Sequence, residues 1–571
     1  MSQTGAKSVV RALEDEGIAF AFGIPGTHNI ELYDALAESA TVRAVLVTDE
    51  QSASFMADGA WRASGRMACV NIVPGAGLTH AMSGIAEAFM DGVPMLVLGC
   101  GIRQDTGRAY QLHDVNQLAI ARPVTKAQLR PERGEEIYAT VREACRLARA
   151  GTPGPVFVEI PANLYLLTHT GDLSYTPPSA ERRAPSAAVV DEVLTLLQGK
   201  RPLVYAGLGA LDADLAMLAE RLEAPVATTF SGKGVIAETH PLFLWCGFGD
   251  AAPPFARAIA GDRDATLVLG ARFGEVATGS YGVTPPAPVV HVDIAADVIG
   301  RNVAAALAVE ADAREFVRAL IAKLPPRAPD AGLRRRIAEG HAAVRAEWEA
   351  HASRERVTPA RLLAALQARF GAESAFVTDS GNGTFLAMEM LRLAGPRRFL
   401  APVDYSCMGY AVPAALGAKL AAPEKPVIAL AGDGAFLMTG LELLTAASEG
   451  IAAVVLVLRD GELAQIAQFQ STAMNRKTKS VLPSFDLKAI CEGVGVACLS
   501  LARDAEIVDV LSRAAEIAGD GDPVVIDVAI DYSERTYFTK GVVKTNLGRL
   551  PLKDRVRFIG RAVVRRIVPG G

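Results

Sequence analysis

The chain has 571 residues and a formal net charge of −5. That length exceeds what one hydrophobic core holds and implies three or four domains, while the near-neutral charge gives no pull toward nucleic acid. Half the residues are apolar and 21% are charged, an ordinary globular balance, and no apolar run is long enough to span a bilayer.

The first 17 residues, MSQTGAKSVVRALEDEG, have the spacing of an amphipathic helix and lack the apolar core of a signal peptide. Short apolar runs then alternate with amphipathic stretches, which predicts α/β domains with parallel sheets. In the first block, strands are expected at 19–22, 42–47, 68–72, 95–98 and 156–160, with helices at 30–36, 51–63 and 79–89. A polar, proline-rich stretch at 175–185 reads as a linker. The second block runs from Pro202 to about Lys323, with strands at 266–269 and 289–292. It ends in a second linker, 324–330, and a charged helix at 334–356. The third block opens at Thr358, with strands at 375–378, 427–430, 453–458 and 524–528. The expected domains are therefore 1–175, 186–330 and 355–540, followed by a basic tail at 541–571. Seven cysteines (69, 100, 145, 246, 407, 491 and 498) form no Cys-x-x-Cys pair and read as reduced thiols of a cytoplasmic protein.

The sharpest constellation lies in the third block. The strand at 427–430 runs into Ala431-Gly432-Asp433-Gly434-Ala435, a helix is expected at 437–448, and the strand at 453–458 ends in Arg459-Asp460-Gly461-Glu462. One right-handed βαβ unit brings both strands into the same sheet, so Asp433 and Asp460 emerge at its carboxyl edge, where such sheets bind ligands. Two carboxylates at one edge repel unless a cation sits between them, and a hard divalent ion that also takes phosphate oxygens suits them. The glycines beside Asp433 let backbone N–H groups approach an anion. Each half alone reads better as a plain turn, since such tripeptides are common; together they read as a Mg²⁺–diphosphate clamp.

The stretch AGDGAFLMTGLELLTAASEGIAAVVLVLRDGEL resembles the thiamine-diphosphate signature of the acetolactate-synthase and pyruvate-oxidase superfamily. The resemblance covers nearly the whole chain. It implies three Rossmann-like α/β domains: pyrimidine-binding, middle and diphosphate-binding. It further implies thiamine diphosphate and Mg²⁺ as cofactors, with Asp433 and Asp460 ligating the metal by side chain and Glu462 by its backbone carbonyl. Asp460 departs from the family's usual asparagine, as in the catabolic acetolactate synthases. Val45-Leu-Val-Thr-Asp-Glu50-Gln looks like the family's strand–Glu–helix element, whose glutamate hydrogen-bonds the aminopyrimidine; without that likeness, Glu50 would read as a helix-capping acid. Asn382, Gly383 and Thr384, in Asp379-Ser-Gly-Asn-Gly-Thr384, look like the loop that helps hold the diphosphate. Ser406-Cys-Met408-Gly409 is similar to the segment whose methionine supports the cofactor and whose backbone binds the pyrimidine. His28 matches a histidine of benzaldehyde lyase, and Gln111 a glutamine seen in both carboligase groups. His80 and His113 are further histidines near these motifs.

The resemblance implies decarboxylation of a pyruvate-like 2-keto acid followed by ligation to a second carbonyl compound. The alternatives are a non-ligating decarboxylase, a C–C lyase, a flavin-linked oxidase of the same superfamily, or a cofactor-binding protein without turnover. Phe469 stands where biosynthetic acetolactate synthases place a tryptophan, and Ala271-Arg-Phe-Gly-Glu-Val-Ala-Thr278 departs from their Asp-Asp-Arg loop, which leaves the acceptor open. Tyr205-Ala-Gly-Leu-Gly-Ala-Leu-Asp212 lacks the third glycine of a dinucleotide fingerprint, so FAD is not favoured. The family places its cofactor between subunits, implying a homodimer or homotetramer. From Lys540 onward the tail carries nine Lys/Arg against one acid. A helix at 552–568 would align Val556, Ile559, Val563 and Ile567 opposite Arg557, Arg561 and Arg565. It reads as a helix docked on its own subunit, or as one that closes the active site or touches an anionic membrane.

Overall fold

The computed structural model describes residues 2–179 and 182–567. Three six-stranded parallel sheets, each flanked by helices, form the molecule. The first contains β1 (Phe20–Gly23), β2 (Arg43–Leu46), β3 (Cys69–Ile72), β4 (Met95–Gly101), β5 (Ala127–Leu129) and β6 (Pro155–Pro161), in the order β2-β1-β3-β4-β6-β5. The second contains β7 (Pro202–Ala206), β8 (Val226–Thr228), β9 (Phe243–Cys246), β10 (Ala265–Leu269), β11 (Val289–Asp293) and β12 (Leu307–Glu310), in the order β9-β8-β7-β10-β11-β12. The third contains β13 (Ala375–Thr378), β14 (Phe399–Leu400), β15 (Val427–Gly432), β16 (Val454–Arg459), β17 (Ala497–Leu501) and β18 (Val524–Ala529), in the order β14-β13-β15-β16-β18-β17. The first and third sheets thus share one strand order, and the middle sheet has the doubly wound 3-2-1-4-5-6 order of dinucleotide folds. Central strands such as β4 and β6 are buried at every residue, because helices cover both faces of a parallel sheet.

The helices that carry the site are α1 (Glu50–Ser64), α2 (Ala76–Asp91), α3 (Asn382–Met390), α4 (Ala411–Ala421), α5 (Asp433–Thr439), α6 (Ala464–Met474) and α7 (Leu552–Ile567). Helices α1 and α4 join the first and third domains, and their contact is backbone on backbone. A methyl carbon at Gly417 would stand 2.6 Å from the carbonyl carbon and Cα of Met56, and one at Gly59 would stand 2.7 Å from the carbonyl carbon of Ala414. Phe55, Ala63, Tyr410 and Val412 share one core with the strands of the third sheet. The middle and third sheets likewise share a core, sealed by a fully buried ion pair, Lys233 Nζ to Glu238 Oε2 at 2.7 Å.

Several expectations need correction. The helix expected at 437–448 starts earlier, at Asp433, and breaks into α5, a tight turn at Gly440–Glu442 and a second helix, Leu443–Glu449. The ring of Phe436 lies where a Gly440 side chain would stand, with its Cζ 2.6 Å from that point. The charged helix spans Ala331–Glu349 and stops short of Arg356. The strand before Glu50 ends at Leu46, and Glu50 is the first helical residue. Sequence reading missed the antiparallel pair Ser2–Thr4 with Thr168–Thr170.

Helix α7 docks beside α6: Asn475 Nδ2 donates to the Arg565 carbonyl at 2.8 Å and Arg565 donates to the Met474 carbonyl at 3.0 Å. Arg565 thus faces the protein, while Leu552, Val556 and Ile559 are exposed, the reverse of an apolar face docked on the same subunit. The side chains of Val563 and Ile567 and residue 568 lie outside the described residues. Among the described residues, no helix is long and apolar enough to cross a membrane.

Candidate functional site

Strands β15 and β16 are neighbours, with Gly432 opposite Leu458, so the acids that follow them emerge side by side. Asp433 is buried in the first turn of α5. Its Oδ1 accepts the Gly434 N–H and its Oδ2 the Gly461 N–H, both at 2.9 Å, which ties the two loops together. Asp460 Oδ1 accepts the Glu462 N–H at 3.2 Å. Burial raises both carboxyls above their usual range, and burial together with the neighbouring Asp433 charge pushes Asp460 up to about 7. Such a pair is relieved by a divalent cation, and its all-oxygen donor set fits Mg²⁺. The Glu462 side chain is engaged with Lys477, which leaves its carbonyl as the group free to serve a metal. Gly432 has open space where a side chain would sit, whereas a methyl at Gly434 would meet Leu463. Ala435 follows in the same turn, buried.

Across the β13–β15 switch point lies the second loop. Asn382, Gly383 and Thr384 form the first turn of α3 after Gly381, whose φ of +142° requires glycine. The Ser406 hydroxyl is 2.8 Å from that of Ser380. The Met408 methyl lies 3.7 Å from the space beside Gly434, so the two segments converge. Asp379 organises this convergence, a role the sequence did not disclose. Its carboxylate accepts the N–H groups of Ser380 (2.8 Å), Gly409 (2.9 Å) and Ala411 (2.8 Å), while burial pushes its carboxyl up to about 7. Two helix N-termini, a glycine-bordered gap and the acidic pair fit a diphosphate with its metal.

The other constellation sits on the first sheet. Asp49 caps α1 by accepting the Gln51 N–H at 2.7 Å, and Glu50 follows, buried. Gly77 borders Glu50: a methyl there would stand 3.3 Å from Oε1. The His28 carbonyl accepts the Cys100 thiol at 2.7 Å, and the His28 and His113 rings meet edge to face at 5.5 Å. Burial and the neighbouring His113 hold His28 below the usual histidine range. Gln111 is turned to backbone, donating to the Arg103 carbonyl at 2.9 Å. His80, beside Glu50, is a contact made only by the folding of α2 against α1.

Within one chain the segment before Glu50 packs on the turn after α5, where Glu442 accepts the Thr48 N–H at 3.2 Å. Tyr410, next to α4, donates to Asp58 in α1. Glu50 stands eight residues before Asp58, about 12 Å along a helix. Among the described residues no hydrogen bond or ion pair joins Glu50, His28 or Gln111 to the acidic loops. Instead, a buried network holds the domains together: Arg62 bonds Asp58 (2.6 Å) and Asp91 (2.8 Å), and Glu87 accepts the Cys407 N–H at 3.1 Å. In the middle domain the Gly207–Gly209 turn packs on the chain itself; a methyl at Gly209 would stand 2.8 Å from Gly270 Cα.

Comparison with known proteins agrees with this architecture. Residues 3–120, 190–320 and 379–528 match, respectively, the N-terminal TPP binding domain, the central domain and the C-terminal TPP binding domain of thiamine pyrophosphate enzymes. The chain is 31% identical to an acetolactate synthase of Mycobacterium bovis over 567 residues, covering 92% of this chain and 88% of that one. It is 30% identical to the acetolactate synthase large subunit of Corynebacterium glutamicum (92% and 87% covered) and 29% identical to the isozyme 3 large subunit of Escherichia coli (94% and 96%). With its three sheets, its paired acids at one sheet edge and its strand–Glu–helix element, the chain belongs to the thiamine-diphosphate-dependent enzymes of the acetolactate synthase and pyruvate oxidase superfamily.

Proposed function

We propose that this chain decarboxylates a pyruvate-like 2-keto acid and joins the remaining fragment to a second carbonyl compound, as a carboligase of the acetolactate-synthase type. The observation that carries the reading is the Asp433 carboxylate bonded to the N–H groups of both edge loops, which fixes it beside Asp460. When bound, thiamine diphosphate supplies the carbon nucleophile and electron sink that this chemistry needs. Asp433, Asp460 and the Glu462 carbonyl would hold Mg²⁺. Backbone around Gly432, Gly434, Ala435, Asn382, Gly383 and Thr384, with Ser406, would hold the diphosphate, and Met408 and Gly409 would support and bind the pyrimidine side. Glu50 keeps a carboxyl at the pyrimidine and exchanges its proton there. His28 and Gln111 line the substrate side.

Among the described residues no hydrogen bond or ion pair joins Glu50 to the acidic loops, and we take a complete site to use Glu50 from one copy and the acidic loops from another. The active form is therefore a homo-oligomer, a dimer or tetramer. The exposed apolar residues Leu437, Met438, Leu441 and Leu444, which follow the acidic turn, fit such an interface. We do not favour FAD, since Tyr205-Ala-Gly-Leu-Gly-Ala-Leu-Asp212 lacks the third glycine of a dinucleotide fingerprint. Five buried cysteine thiols fit a reducing cytoplasm. The exposed Leu552, Val556 and Ile559, flanked by Lys553, Arg557 and Arg561, suit peripheral contact with an anionic membrane.

The test is pyruvate turnover with added thiamine diphosphate and Mg²⁺, with products identified by NMR and Glu50→Gln run alongside. Acetolactate or acetoin, formed by the wild type and lost in the variant, is the expected result. Acetaldehyde alone would replace ligation with simple decarboxylation, and no consumption would exclude pyruvate as donor.

A further inference from the structure

His80 lies in the second turn of α2, where a helix gives no reason for a cationic side chain, since its dipole opposes positive charge there. Its Nδ1 is 3.4 Å from Glu50 Oε2 and 3.6 Å from Asp49 Oδ2. The two partners differ sharply in access: the His80 side chain is 60% exposed, the Glu50 side chain 10%. The Glu50 oxygens also face different surroundings. Oε1 lies on the Gly77 side, where a methyl would stand 3.3 Å from it, and Oε2 faces the imidazole. Among the described residues, the His80 ring is the one side-chain donor that lies against either oxygen. Asp49 is itself fixed, with Oδ1 on the Gln51 N–H, and its Oδ2 lies near the same ring nitrogen. The other titratable groups around this cleft are the His28–His113 pair, Glu442, which is bonded to Thr48 and raised by burial, and Tyr33, whose phenol is held well above its usual range by burial and therefore stays neutral.

We propose that His80 is a positioning residue that passes protons between solvent and Glu50; the inference rests on the role given to Glu50 above. The imidazolium gives its Nδ1 proton to Glu50 Oε2, leaving neutral imidazole and a carboxylic acid, and solvent reprotonates the imidazole. The reverse sequence removes the proton again. A buried acid that must change protonation state in every turnover needs such an outlet, and His80 is an exposed side chain in contact with it.

The experiment follows hydrogen–deuterium exchange at C2 of thiamine diphosphate bound to the Mg²⁺-loaded protein, without substrate, by quenched-flow NMR across pH. Glu50→Gln should abolish fast exchange. His80→Ala and His80→Gln should slow it at least about tenfold, below the usual 10²–10⁴ span of acid–base contributions, with cofactor affinity within about twofold of wild type. Added imidazole should restore the rate in His80→Ala, in a pH-dependent way, and leave Glu50→Gln unchanged. Wild-type exchange in both His80 variants would overturn the relay while leaving Glu50's role intact. Slow exchange that imidazole cannot restore would also overturn it, reducing His80 to a structural contact. Normal exchange in Glu50→Gln would overturn the Glu50 reading and the relay together.

Discussion

Replacing Gly417 by alanine sets two effects against each other. In a helix interior, alanine is favoured over glycine by about 1 kcal/mol. Against this, the new methyl carbon would stand 2.6 Å from the Met56 backbone, about 1 Å inside the ordinary contact distance of roughly 3.5 Å. The obstacle is main chain in the middle of α1, so it cannot rotate away and the helices must part. Overpacking of this kind costs about 3 kcal/mol at the upper end of its range. The net loss is then about 2 kcal/mol, or a fall of about 4–8 °C in the melting temperature of a 150–250-residue unit. Because Tyr410 leads into α4 and carries Gly409 and Met408 with it, affinity for thiamine diphosphate should fall as well. Differential scanning fluorimetry and cofactor titration read both effects. Gly560→Ala in α7 is the control: nothing lies within 4 Å of the added methyl, so propensity should dominate and stability should not fall. A melting temperature for Gly417→Ala within 1 °C of wild type, or above it, would refute the close-crossing argument.

Other outcomes follow from the same geometry. His341 accepts from Arg392 at 3.1 Å through Nδ1 and lies 3.1 Å from the Phe243 carbonyl through Nε2, so it is held neutral and pushed down to about 3, chiefly by burial. A depressed histidine contributes stability that is fully present above the unfolded value of about 6.5 and is lost as pH falls. Wild-type stability should drop between pH 6.5 and 4.5 by up to about 1.4 kcal/mol per unit, and denaturant titrations of His341→Gln should show a flatter profile over that window. Asp460→Asn keeps an oxygen ligand and should retain Mg²⁺-dependent activity, whereas Asp460→Ala should weaken Mg²⁺ binding by at least about 10–100-fold; equal calorimetric affinities for the two variants would remove Asp460 from the metal site. Chain lacking residues 552–571 should lose co-sedimentation with phosphatidylglycerol vesicles, and salt should weaken the binding of the full chain. Equal binding by both forms would dismiss the membrane contact.

Much of this was legible in the sequence because parallel sheets leave continuous apolar runs and place their chemistry at strand ends. Asp433 and Asp460 were readable as neighbours since one right-handed crossover joins their strands. Glu50 was readable only through its resemblance to a known element, because an acid at a helix start has an ordinary capping use. The break at Gly440 was hidden: the helical spacing continues through it, and only the Phe436 ring, folded back over the turn, accounts for the glycine. Asp379 drew attention as part of a glycine-rich loop, but its three N–H donors include two from residues 30 and 32 positions away. His80 beside Glu50 is likewise a product of helix packing, with no local signal in the sequence.

In the proposed assembly each chain carries two half-sites that serve different active sites. Loss of one half should therefore be curable by a chain that has lost the other. Glu50→Gln and Asp433→Asn chains, each inactive alone, should regain turnover when they are unfolded and refolded together. Random pairing into dimers makes about half of them hybrids, each with one of its two sites intact, so about a quarter of wild-type sites should return. Two alleles of this gene would then complement within the protein itself, in proportion to how freely the subunits exchange.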